Sequence, residues 1–343
     1  MKKNRLASFF AGILLFGSGS VYAAGSEQNC ILNEIQNGDD SRTIAQIKAL
    51  CRQEVAAESS IEVEGISPDN TDTAGAISHR LSRERQNAFN PYVITPHKMN
   101  YILPAYKTNA INTLPYFEQT ELQDNLDDLE AKFQISLKVP LFEDSLFIEG
   151  DALYLGFTLQ AWWQIYASNI SKPFRETNYQ PELFYLAPLG WQPFGGNTAM
   201  ILGIEHQSNG RGRVLSRSWN RVYTSFLFEK EGFALSFRPW VRLNEEDKQF
   251  PFDPSGDDNP DIEDFLGHFE LGMAYEWDDI EFVFQGRRNF ATDNGSAELG
   301  ITFPLFGRLR GYATFFTGYG ESLIDYNYRQ TRYGLGVALT DIL

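Results

Sequence analysis

From Pro91 onward the chain alternates between apolar and polar or small side chains. Phe133, Ile135, Leu137, Val139 and Leu141 share one parity, against Gln134, Ser136, Lys138 and Pro140 on the other. The same order recurs in Phe233, Leu235, Phe237, Pro239 and Val241, and in Phe269, Leu271, Met273, Tyr275 and Trp277. It returns in Ala297, Leu299, Ile301, Phe303 and Leu305, and in Tyr333, Leu335, Val337 and Leu339. Successive side chains of a β-strand point to opposite faces, so each run predicts a strand with one apolar face. About twelve such segments are expected, near 98–106, 129–142, 146–166, 180–189, 197–210, 218–231, 233–244, 264–279, 280–291, 295–306, 309–320 and 331–341. A soluble sandwich alternates too, but several of these segments exceed the ~5–6 residues usual in globular sheets. Tilted strands of ~9–11 residues are what a bilayer crossing requires, and hydrocarbon cannot satisfy an open sheet edge. The pattern therefore predicts an all-β fold: a transmembrane antiparallel β-barrel of 12 strands over residues 91–343, apolar face outward.

The pattern differs ahead of the barrel. Lys2, Lys3 and Arg5 precede an apolar stretch from Leu6 to Phe16, and small residues lead to Val21-Tyr22-Ala23. That is the order of a secretory signal peptide over 1–23, and its apolar stretch is shorter than the ~20 residues of a spanning helix. Residues 24–90 are expected to form an N-terminal periplasmic extension and linker. Ile31, Leu32 and Ile35, then Ile44, Ile47 and Leu50, recur at helical spacing, and Cys30 and Cys51 flank them. In an oxidising compartment a Cys30–Cys51 disulfide is expected, worth ~3 kcal/mol for a loop of this size. Ala56 to Asn90 is Ser-, Asp-, Thr- and Glu-rich and reads as linker.

Composition sharpens the picture in three ways. A hydrophobic content of 43% and a mean hydropathy of −0.33 exclude a bundle of transmembrane helices, whereas a barrel averages an apolar wall against a polar lumen. The 27 Phe, 16 Tyr and 6 Trp are expected largely on the outer wall and its interfacial girdles. The 29 Lys and Arg against 45 Asp and Glu give −16, and loss of the three basic residues of 1–23 would take it to −16 − 3 = −19. Nucleic acid is excluded as a partner, because phosphate neutralisation needs a basic surface.

Candidate chemistry concentrates between residues 206 and 221. Met200, Leu202 and Ile204 set an outward parity that His206 and Ser208 continue, with Ile201 as an apolar exception on the other face. Asn220 shares parity with Val222, Phe226 and Phe228. Polar groups on a lipid-facing wall are costly without a purpose. Positions i and i+2 lie about 6–7 Å apart along a strand, which lets an imidazole reach a hydroxyl, while Asn220, one hairpin away, can orient the ring. A nucleophile, a base and an orienting group within hydrogen-bond reach is the logic of a hydrolytic triad.

The strings HQSNGR at 206–211 and SRSWNR at 216–221 resemble the signature of the outer-membrane phospholipase A family. PFRETNY at 173–179, AELG at 297–300 and GYGESLIDYN at 318–327 resemble it too, so the similarity spans most of 91–343. The resemblance implies a barrel in a bacterial outer membrane, its active site toward the outer leaflet. It implies hydrolysis of acyl ester bonds at either glycerol position of glycerophospholipids, and of lysophospholipids. Ser208 would be the nucleophile, His206 the general base and Asn220 the orienting residue. It further implies one Ca2+ per active site, held by the Arg211 carbonyl and the Ser216 hydroxyl, with Ser171 of the partner subunit. The active form would be a homodimer and the resting form a monomer. Acyl transfer builds an oxyanion, and a hard cation acting through a bound water suits it, with the Ser208 backbone N–H as second donor.

Few carboxylates neighbour these residues in sequence, so calcium is expected to bind weakly until a second chain completes the site, coupling dimerisation to activity. The acidic segment 253–264 lacks the EF-hand glycine at its sixth position and is expected to be a solvated loop. His79, His97 and His268 have no metal-ligand spacing and are expected to be structural or surface residues. Glu321 and Asp325 are expected to pair inside the barrel with Arg288, Arg310 or Arg332. The alternative is a non-enzymatic barrel, a porin or adhesin, which predicts a water-filled lumen. A barrel protease would instead place acidic pairs at the rim.

Overall fold

The computed structural model describes residues 95–340 apart from 143–144, 251–252, 254–255 and 308, together with Thr43, Gln46, Ile47, Cys51, Arg80 and Glu84. The expected leader over 1–23, Cys30, His79 and most of the 24–90 extension lie outside the described residues. Within the unit 1–70, Gln46, Ile47 and Cys51 are helical. The Thr43 N–H donates to Gln46 Oε1 at 2.8 Å and the Gln46 N–H returns to Thr43 Oγ1 at 3.4 Å, the reciprocal pairing that Thr-x-x-Gln makes at a helix start. Ile47 and Cys51 are buried, and Cys51 is disulfide-bonded.

In the unit 71–343 the alternating segments become strands. A two-residue strand, β1 (Thr95–Pro96), is followed by β2 (Tyr101–Thr108), β3 (Leu129–Pro140), β4 (Ala152–Trp163), β5 (Phe174–Leu189), β6 (Asn197–Ser208) and β7 (Ser218–Lys230). Then come β8 (Phe233–Leu243), β9 (Phe269–Trp277), β10 (Ile280–Arg288), β11 (Gly295–Phe306), β12 (Leu309–Gly318) and β13 (Gln330–Ala338). From β2 to β13 each strand pairs antiparallel with the next, and β13 pairs with β2 through Tyr333↔Lys107 and its neighbours. The twelve strands β2–β13 close a barrel, and β1 adds only Thr95↔Lys138 and Pro96↔Leu137 against β3.

Two expected strand starts move for a polar reason. The strand expected from 146 starts at Ala152, because the Asp151 carboxylate accepts the N–H groups of Leu146, Phe147 and Ile148 at 2.6, 2.8 and 3.0 Å and folds that stretch into a turn. The strand expected from 180 starts at Phe174, since Arg175 and Glu176 are fully buried lumen residues rather than loop polar groups. The segment 264–279 is divided between the short helix α2 (Ile262–Leu266) and β9. A first short helix, α1 (Thr120–Asn125), sits in the β2–β3 connection.

The barrel is apolar outside and polar within. On β3, Lys132, Gln134, Ser136 and Lys138 are buried, while Ile135 and Val139 are exposed on the outer wall. Leu155, Leu202, Leu299 and Leu335 repeat that exposure around the circumference. In water such a surface would be an aggregation hazard; in a bilayer it is the solvated face. Many aromatic residues are exposed, Phe157, Phe226, Phe282 and Tyr333 among them, while Tyr154, Phe184, Trp219, Tyr223 and Trp240 form a buried lumen cluster with Leu323 and Tyr326. Tyr223 and Trp219 suit this place because their rings pack while the hydroxyl donates to Glu182, the indole N–H donates to Gln207 and each face receives a cation. The Arg238 guanidinium lies 3.6 Å from the Tyr223 ring centre and that of Arg221 3.8 Å from the Trp219 ring. Gly203 makes room for this packing, since a Cβ there would stand 2.5 Å from the Tyr223 ring.

Ion pairs fill the remaining lumen. Arg175 donates to Glu130 at 2.9 Å and to Asp325 at 2.8 Å; Arg332 reaches Glu130 at 2.5 Å; Lys132 meets Glu321 at 2.8 Å. All six side chains are essentially inaccessible. Of the expected partners only Arg332 takes part, at 3.8 Å from Glu321. Arg288 instead pairs with Asp293, and Arg310 donates to Thr302 and the Asp279 carbonyl. The interior is a packed polar core, unlike the water-filled lumen that a porin requires.

Short turns such as 231–232 and 278–279 lie at one end of the barrel. The longer connections, 109–128, 164–173, 209–217, 244–268 and 319–329, gather at the other. The 206–221 segment belongs to the long-loop end.

Candidate active site

The β6–β7 hairpin positions the expected trio by register alone. His206 stands directly opposite Asn220, and Ser208 opposite Ser218. His206, Ser208 and Asn220 are partly exposed, on the face that also carries Leu202, Ile204 and Val222. The opposite parity, Glu205, Trp219, Arg221 and Tyr223, is buried. Ile201, the apolar exception, packs against the lumen aromatic cluster. On the outer wall the His206 ring nitrogen Nδ1 and Asn220 Oδ1 are 2.8 Å apart. Ser208 follows two residues after His206 on the same face, and among the described residues no hydrogen bond joins its hydroxyl to the ring. Catalytic hydrogen bonds are often made only when substrate is bound. The β5–β6 ladder lapses between Tyr179↔Ser208 and Glu182↔Glu205, where Pro181 brings no N–H to the pairing.

The 209–217 connection is built around Asn209, which sequence reasoning passed over. Its Oδ1 accepts the N–H groups of Arg211 and Arg217 at 3.2 and 3.0 Å, and its Nδ2 donates to the Leu215 carbonyl at 2.7 Å. One buried amide thereby closes the loop on itself, with Gly210 at a φ of +63° supplying the left-handed turn. The Arg211 guanidinium donates to the carbonyls of Phe174 and Arg175 at 2.9 and 2.7 Å and faces Glu176 at 3.6 Å. Asn178 Nδ2 donates to Glu176, and Asn178 Oδ1 accepts the Leu323 N–H. The strings at 173–179, 206–211 and 318–327 are therefore one connected support beneath the site.

Of the residues expected to hold a cation, Arg211 and Ser216 lie in this loop, while Ser171 is exposed in the β4–β5 connection. Among the described residues no hydrogen bond links Ser171 to the other two. The Ser216 hydroxyl donates to Asp258 Oδ2 at 2.5 Å, and Asp258 also pairs with Lys248. This corrects two expectations. The 253–264 segment is not a solvated loop: Asp257 pairs with Arg242 at 2.6 Å, Asn259 and Ile262 are fully buried, and Asp261 accepts the Tyr326 hydroxyl at 2.6 Å. It also brings a carboxylate to Ser216, where none is near in sequence. Loop charges with no period carry no sequence sign of where they dock. His97 is half-buried against Glu182 at 2.8 Å, and His268 is exposed beside Glu263. Among the described residues no group of three or more His, Cys, Asp or Glu is gathered for a metal.

Comparison with known proteins agrees with this geometry. A family model described as Phospholipase A1 matches residues 77–339. A Klebsiella pneumoniae protein named phospholipase A1 is 36% identical over 277 residues, covering 80% of this chain and 91% of that protein. The solved structure of outer membrane phospholipase A from Escherichia coli superposes with a TM-score of 0.70 at 34% identity, covering 77% of this chain and 98% of that one. A Salmonella typhi outer membrane phospholipase, solved as a dimer with bound calcium, matches at the same TM-score, identity and coverage.

Proposed function

The chain belongs to the phospholipase A1 family of carboxylic ester hydrolases, and from that premise we propose that it is a calcium-dependent outer-membrane phospholipase acting through Ser208, His206 and Asn220. The observation that carries the reading is the His206–Asn220 hydrogen bond of 2.8 Å on the outer wall, with Ser208 next on the same face. The imidazole Nδ1–H donates to the Asn220 oxygen, which leaves Nε2 as the base. His206 takes the Ser208 proton as the hydroxyl oxygen attacks the ester carbonyl, then returns it to the leaving glycerol oxygen. Water repeats the cycle on the acyl-enzyme. The substrate's acyl chains lie against Leu202, Ile204 and Val222, so the ester reaches the site without leaving the bilayer. Both glycerol positions and lysophospholipids present the same ester to this open wall. The long-loop end is extracellular in barrels of this kind, which sets the site toward the outer leaflet.

The donors near the loop suit a hard cation: the Ser216 hydroxyl and an Asp258 carboxylate oxygen 2.5 Å apart, with the Arg211 carbonyl in the same loop. Calcium held there supplies positive charge for the oxyanion, alongside the Ser208 N–H. Ser171 of the partner subunit would complete the site, making the homodimer the active form and the monomer the resting one. The Salmonella typhi relative, a dimer with bound calcium, supports that arrangement. Phospholipid hydrolysis by refolded protein, measured with calcium and with chelator, tests the reading. Fatty-acid release that ceases with chelator and returns on adding calcium is expected; calcium-independent release, or none, overturns it. A monomer-trapped variant retaining full activity and calcium affinity would overturn the dimer requirement alone.

A further inference from the structure

Asn220 makes two side-chain hydrogen bonds. Its oxygen faces His206 Nδ1 at 2.8 Å, and its nitrogen donates to Glu245 Oε1 at 2.9 Å. A primary amide can sit in either of two flipped states, since one end accepts and the other donates. The states have opposite consequences for the neighbouring ring. With the oxygen toward His206, Nδ1 carries the proton and Nε2 is free. With the nitrogen toward His206, Nδ1 must accept, the proton moves to Nε2, and the imidazole is no longer a base toward Ser208. An ionised carboxylate only accepts, so Glu245 tolerates the first state alone.

Asn220 pairs with Leu243, the last residue of β8, which is exposed on the outer wall. Glu245 lies two residues past that strand end, in the β8–β9 connection. In the acidic run Glu245-Glu246-Asp247, Glu245 is partly covered while Glu246 and Asp247 are exposed. We propose that Glu245 is a positioning residue for the hydrolytic site: it locks the Asn220 amide so that its oxygen faces His206 and thereby sets the histidine tautomer. The proposal rests on the Ser208–His206–Asn220 reading above.

The test compares full-length wild-type protein with Glu245→Ala, Glu245→Gln, Asn220→Ala and the Glu245→Ala/Asn220→Ala pair, on mixed phospholipid–detergent micelles with calcium. Barrel folding is checked by the gel-mobility shift on heating. Glu245→Ala is expected to lower kcat about tenfold at unchanged KM. Glu245→Gln keeps an acceptor for the amide and is expected to recover most of that rate. The paired variant is expected to be no slower than Asn220→Ala, because Glu245 acts only through Asn220. A wild-type kcat for Glu245→Ala, a change confined to KM, a glutamine variant as slow as alanine, or losses that multiply in the pair would each overturn the proposal. Ser208→Ala run alongside separates the two ideas, since activity surviving in that variant sinks the catalytic reading itself.

Discussion

Two polar assemblies occupy opposite faces of one barrel wall. In the lumen, Arg175, Arg332, Lys132, Glu130, Glu321 and Asp325 are inaccessible, and each is held by oppositely charged partners. On the outer wall, His206, Ser208 and Asn220 are partly exposed; single hydrogen bonds join His206 to Asn220 and Asn220 to Glu245. Burial decides what each set can do. A charge removed from water must be matched completely, so the lumen set is committed to structure. A half-exposed serine beside an oriented histidine, with no hydrogen bond to its hydroxyl among the described residues, is open to an incoming group. The wall between them is one strand thick, and parity alone separates the two roles: Glu205 points in while His206 points out.

Removing chemistry without touching structure should give the largest effect. Ser208→Ala is expected to lower phospholipid hydrolysis at least about 10³-fold, while urea or thermal unfolding of the barrel shifts by less than about 0.5 kcal/mol. A comparable loss of stability would erase the distinction between the two faces. The opposite experiment is Arg175→Met, which strands Glu130 and Asp325 without their cation. Breaking a buried pair in this way is expected to destabilise the barrel by about 3–5 kcal/mol, read from the unfolding midpoint, with kcat per folded molecule little changed because Arg211 rests on the Arg175 main-chain carbonyl, which the substitution keeps.

The smallest effect concerns acid. Burial pushes the Glu321 carboxyl up, but Lys132 and Arg332 beside it overcome that and hold it at about 2. Its ordinary value is 4.5, so the folded form is the stronger acid. The stability it contributes is complete above about pH 4.5 and is lost as pH falls through that range toward 2. Glu321→Gln should flatten this part of the stability–pH curve. A curve unchanged by the substitution would show that Glu321 is not held low by its partners.

The barrel was legible because its rule is local. Alternation needs only neighbours, and it placed all twelve barrel strands and the outward parity of His206, Ser208 and Asn220. Where it failed, charge was the cause. Arg175 and Glu176 read as loop residues because a buried ion pair looks no different in sequence from a solvated one. The 253–264 segment read as solvated for the same reason, and Asp258 and Glu245 were missed with it. Trp219 and Trp240 lie in the lumen, where the Arg221 guanidinium stacks on both rings.

By itself the sequence determined an inside-out barrel and a serine, a histidine and an asparagine on one lipid-facing hairpin, since strand period and hairpin register act over a few residues. Only the tertiary structure decided which distant groups complete them. Closing the sheet brought Glu130 to Arg332, and the β8–β9 connection brought Asp258 to Ser216 and Glu245 to Asn220. Such contacts depend on charges, donors and acceptors meeting across space, which has no period along the chain.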